Sequence, residues 1–173
     1  MPKSLSLHSL LFSLLAVIPA MLLGVILMYT SDNPQSGWNY LSYLFLLGAL
    51  IYGQLNWRKV GRDGFMTFGQ AFKYALMLSM WYAVLIAIWT YIFFAIISPD
   101  IMDKMLEISR QQMEAQGLPE DQIEMGLEMS KKFMTPGIIA AFALIGGFIF
   151  SLIIGLISSA ITQKNNPVPP MFK

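Results

Sequence analysis

The chain has 173 residues, of which 56% are hydrophobic and 12% charged, with eleven basic and ten acidic side chains. That is too apolar for a soluble domain of this length, and the apolar segments with their connections leave no room for a separate soluble domain. The absence of cysteine excludes disulfides, thiolate metal sites and cysteine nucleophiles.

Four segments, Leu10–Met28, Trp38–Leu55, Tyr74–Ile97 and Gly137–Ile161, contain no Asp, Glu, Lys or Arg. A helix needs about 20 apolar residues to cross the hydrocarbon core, so the expected fold is an all-α membrane protein with four transmembrane helices. The spans are placed at about 10–29, 38–56, 68–97 and 137–162. The first, preceded by Lys3, is read as a retained span rather than a signal peptide, because Ile18-Pro19-Ala20 lacks the small −3 residue of a cleavage site. Pro19 near its middle is expected to kink it. Ser31-Asp32-Asn33-Pro34 is a turn signal that makes a tight pair of spans one and two. Trp38, Tyr40 and Tyr43 then open the second span at one interface and Trp57 closes it at the other.

Thr67 and Gln70 have the spacing of a capping box, which predicts a helix start near Phe68. Lys73, one turn in, is placed to snorkel back to the headgroups, with lipid or phosphate binding as the alternative. Beyond the third span, residues 99–134 read as an amphipathic helical hairpin. Ile101, Met105 and Ile108, with Met102, Leu106 and Met113, line one helix, and Gly117 ends it. Pro119-Glu120-Asp121 opens the other, which carries Ile123, Leu127 and Met134 beside Met125, Met129 and Phe133. The Pro-rich end, 165–173, is expected to be disordered.

Loop charge orients the chain. Asn56–Lys73 holds Arg58, Lys59, Arg62 and Lys73 against Asp63 alone, whereas Ser98–Pro136 holds four bases against eight acids. Basic loops stay cytoplasmic. Both termini and the short basic loop are therefore expected in the cytoplasm, with the acidic hairpin outside.

Small residues recur every fourth position in two spans: Ala71, Ala75, Ser79, Ala83 and Ala87 in the third, and Ala143, Gly147, Ser151, Gly155 and Ser159 in the fourth. Such ridges let backbones approach, which in lipid replaces the missing hydrophobic drive between helices. They are read as helix-packing positions, within the chain or, alternatively, against a partner.

Chemistry-bearing residues are sparse. Met102-x-x-Met105 has spacing open to Cu(I), but methionine also packs adaptably, and the sole histidine, His8, is expected across the membrane as an interfacial residue without chemistry. The hairpin's carboxylates lack a calcium-loop spacing and are read as a solvated face. No ionisable group is placed at membrane depth, Lys73 lying at a span end, and no internal repeat is visible, which argues against an ion-coupled carrier. Catalytic, metal and cofactor sites are expected to be absent.

The run Gly64-Phe65-Met66-Thr67-Phe68-Gly69-Gln70-Ala71-Phe72-Lys73 resembles the signature of an uncharacterised bacterial membrane family, domain-of-unknown-function family 4199. The resemblance continues through Ile97-Ser98-Pro99-Asp100-Ile101-Met102-Asp103, Lys132-Phe133-Met134-Thr135-Pro136 and the end of the last span at Leu156–Ile161. It implies a four-span inner-membrane protein of Gram-negative bacteria and carries no known activity; the Pro-rich tail departs from the short basic ending expected of the family. The expectation is a non-enzymatic, multi-pass bacterial inner-membrane protein acting as an accessory or scaffold. A protein partner or a second copy would engage through the small-residue faces or the outward hairpin, with the lipid bilayer around it and no nucleic acid. The alternative is binding or translocation of a lipid or polyprenyl carrier.

Overall fold

The computed structural model describes residues 4–30 and 41–166. Within them the chain is all helical: α1 (Leu5–Thr30), α2 (Ser42–Gly61), α3 (Phe68–Ile92), α4 (Asp100–Ala115), α5 (Glu120–Phe133) and α6 (Pro136–Thr162). A π-helical turn, Phe93–Ile97, extends α3 and closes with Ser98 N–H on the Phe93 carbonyl at 2.9 Å. The turn signal at 31–34, Trp38, Tyr40 and the prolines at 167–170 lie outside the described residues.

Three stretches are long and apolar enough to cross a membrane: Leu5–Leu27, Phe68–Ile97 and Pro136–Thr162. They make this a multi-pass membrane protein. The 20-residue α2 is less apolar over its described length, because Gln54, Asn56, Arg58 and Lys59 fill its last turns.

The contacts divide the chain into two compact units, Met1–Leu85 with Gly146–Lys173, and Ile86–Ile145. In the first, α1 packs along α2. Helix α1 runs unbroken through Pro19 and is built inside out. Its Leu7, Leu11, Leu15, Ile18, Leu22 and Ile26 are exposed, while His8, Ser9, Ser13, Ala16, Val17 and Ala20 are buried. This is the pattern lipid selects, with bulky apolar groups facing the solvent and small or polar ones between helices. The buried hydroxyls stay satisfied because Ser9 donates to the Ser6 carbonyl at 2.9 Å and Ser13 to that of Leu10 at 2.7 Å.

Helix α3 starts where the cap places it. The Thr67 N–H, which has no intrahelical acceptor, donates to Gln70 Oε1 at 3.1 Å. In the second unit α4 ends on Gly117 (φ +73°), with Leu118 N–H on the Met113 carbonyl (3.3 Å) and Gly117 N–H on that of Glu114 (2.9 Å). These are the paired bonds of a Schellman stop. Helix α5 then packs on α4. Arg110 joins Glu114 (2.9 Å) and Glu120 (3.0 Å) across the turn; the Glu114 hydrogen bond and then the Glu120 charge hold its guanidinium further in the charged form.

Candidate functional site

The first turn of α1, the end of α2, the start of α3 and the end of α6 meet at one end of the first unit. The polar residues of these segments form a network. His8, read from sequence as an interfacial residue, is only 2% exposed. Its Nδ1 lies 2.8 Å from Tyr74 Oη and its Nε2 3.0 Å from Asn56 Oδ1. Asn56 Oδ1 can only accept, so the assigned tautomer carries its proton on Nε2, and Nδ1 accepts from the Tyr74 hydroxyl. Phe12 stacks on the imidazole at 4.6 Å, and Trp57 meets it edge-on at 5.1 Å. Gly53 makes room for this arrangement: a Cβ there would stand 2.6 Å from Tyr74 Oη and 3.2 Å from Phe12 Cδ1.

Next to Gly53 on α2, the fully buried Gln54 ties three helices together. Its amide donates to the Ala71 carbonyl (3.1 Å) and to Ser159 Oγ (3.0 Å), and its Oε1 accepts from Thr162 Oγ1 (2.9 Å). Arg58 caps the C-terminal end of α6 by donating to the Thr162 carbonyl at 2.6 Å, a favourable place for a cation against the helix dipole. Trp81 Nε1 donates to Ser6 Oγ at 3.3 Å. Just beyond the helices, Met66 and Lys164 exchange backbone bonds of 2.8 Å in both directions.

Of the small-residue positions, Ala71, Ala75, Ser79, Ala83, Ser151, Gly155 and Ser159 are buried, while Ala87, Ala143 and Gly147 are half-buried. The two ridges touch each other where a Cβ on Gly155 would stand 3.0 Å from Ala75 Cβ. Ser79 Oγ, beside that contact, is buried without a hydrogen-bond partner among the described residues. Lys73 is exposed.

In the second unit, α5 carries an uncovered apolar stripe. On α5, Ile123 is buried, and a Cβ on Gly126 would meet Met113 Sδ of α4 at 3.1 Å. Met125, Met129 and Phe133, four residues apart on the same helix, are 70%, 63% and 56% exposed. Among the described residues no three His, Asp or Glu side chains gather as a metal site.

These features define a helical, multi-pass membrane protein whose helix ends are bound together by buried polar side chains. The chain belongs to the family described as "Protein of unknown function (DUF4199)", whose model matches residues 8–164. No curated protein and no solved structure matches it.

The sequence signal for the network was present but ambiguous. Gln54 and His8 are isolated polar residues at the ends of apolar runs. At such a position a side chain can reach headgroups as easily as another helix, and only the packing chooses.

Proposed function

We propose that this protein is a non-enzymatic accessory or scaffold of a bacterial inner membrane, engaging a protein partner through the surface of α5. In this reading α2 is a fourth span, both termini and the turn around Arg62 face the cytoplasm, and α4–α5 form a hairpin outside. The observation that carries it is the division of labour between surfaces. Small and polar residues of α2, α3 and α6 are engaged with one another, through Gly155 on Ala75 and Gln54 on Ser159 and Thr162. Met125, Met129 and Phe133 remain uncovered on a helix whose other apolar side is packed. An exposed flexible thioether stripe suits an adaptable protein contact.

A photoreactive phenylalanine analogue at Met129, activated in intact membranes, should give a cross-linked protein adduct that the same analogue at Glu124 does not. An adduct of twice the chain mass would make the partner a second copy. Equal labelling at the two positions, or none at Met129, would sink the reading.

A further inference from the structure

Where α2 and α6 end and α3 begins, the turn after α2 leaves an open recess of about 290 Å³. Its walls carry Arg62, Asp63, Phe65, Thr67, Gln70 and Lys164. Phe68 and Thr162 are terminal residues of two membrane-crossing helices, and the Met66–Lys164 bridge fixes the residues just beyond them side by side. The recess therefore sits in the headgroup layer.

Its charges are available. None of the ion pairs among the described residues uses Arg62, Asp63 or Lys164, and Lys164 Nζ stands 5.4 Å over the Phe65 ring. The turn is held by Phe65 N–H on the Arg62 carbonyl (2.9 Å) and Gly64 N–H on that of Arg58 (3.0 Å), so the groups are carried on a fixed backbone.

Two cations beside one carboxylate match a ligand of opposite pattern, a phosphate next to an ammonium. We infer that this recess binds the phosphoethanolamine headgroup of a membrane phospholipid, with its phosphate between Arg62 and Lys164 and its ammonium on Asp63. Guanidinium and ammonium groups are the usual phosphate partners, and the carboxylate separates a primary ammonium from a glycerol or a quaternary amine. The volume lies at the small end of ligand sites; it takes a headgroup and leaves the acyl chains outside, where Phe68 offers an exposed apolar face. This inference is independent of any protein partner at α5.

The test uses the full chain in mild detergent, with native mass spectrometry and thermal shifts in added phosphatidylethanolamine, phosphatidylglycerol or phosphatidylcholine. Phosphatidylethanolamine should be retained in preference. Losing two charge-assisted contacts in Arg62→Gln/Lys164→Gln should weaken its binding at least about tenfold. Asp63→Asn should keep phospholipid binding and lose the preference for ethanolamine; asparagine tolerates the left-handed backbone at that position (φ +49°). Lys131→Gln, exposed on α5 and outside the recess, should bind like the wild type, and melting without lipid should match for all four. Wild-type binding by the double variant, or equal retention of the three lipids, would overturn the inference. Displacement of lipid by equimolar soluble phosphoethanolamine would overturn the lipid assignment, because the ligand would then come from water.

Discussion

At the scale of single residues, Gly53 and Gln54 are the adjacent positions on which the network turns. A methyl group at 53 would fall 2.6 Å from the Tyr74 oxygen, an atom tethered by His8 and so poorly able to retreat. Gly53→Ala should therefore cost about 1–3 kcal/mol by overpacking, read as a lower melting temperature in detergent. Removing the hydroxyl relieves the clash, so Gly53→Ala added to Tyr74→Phe should cost less than it does alone. Gly48, with nothing within 4 Å of an added Cβ, is the control; Gly48→Ala should be neutral or stabilise by up to about 1 kcal/mol through helix propensity. Gln54→Leu forfeits three interhelical bonds and leaves Thr162 Oγ1 without its acceptor. Individual bonds of this kind in membranes average about 0.6 kcal/mol, so a loss of about 1–2 kcal/mol is expected in the same assay.

At the scale of elements, the α3–α6 contact depends on one absent side chain. With Ala75 Cβ already 3.0 Å from where a Gly155 Cβ would be, Gly155→Leu must push the helices apart, at a cost on the order of 1–3 kcal/mol. Ile149 on the same helix is exposed, and Ile149→Leu should leave the melting temperature unchanged. Equal stability of the two variants would remove the ridge from any account of packing. The α4 stop is a second case. Gly117 adopts φ +73°, a conformation that costs a residue with a Cβ about 1–2 kcal/mol. Gly117→Ala should loosen the turn, seen as faster amide exchange at Gly117 and Leu118 with the α6 amides unaffected. Both the start of α3 and this stop were readable in the linear order of residues, because a cap is made within a few positions: Thr67 with Gln70, Met113 with Leu118. The π-turn at Phe93–Ile97 had no such local mark, since Phe-Phe-Ala-Ile-Ile continues an ordinary apolar helix.

At the scale of the whole molecule, the chain's lack of cysteine makes its membrane orientation directly measurable. Single cysteines at Arg62 and Glu114, both exposed, would be probed with an impermeant thiol reagent applied from outside the membrane. Labelling is expected at Glu114 and not at Arg62; the reverse pattern would invert the proposed topology and, with it, the proposed cytoplasmic side of the recess. The three long apolar helices and the stop at Gly117 follow from the order of residues alone, because helix length and caps are set by near neighbours and by the contrast between lipid and water. The order of residues does not choose the partner of each ridge, and it reads His8 as interfacial where the packing buries it, with Gln54 buried beside it. Those belong to contacts between residues far apart in the chain: His8 with Tyr74, Gln54 with Ser159, Met66 with Lys164. Apolar length drives a helix into the bilayer but is indifferent to which neighbour it meets there. That choice falls to close approach at Gly53 and Gly155 and to hydrogen bonds that only a specific packing can complete, and both exist only once the helices are assembled.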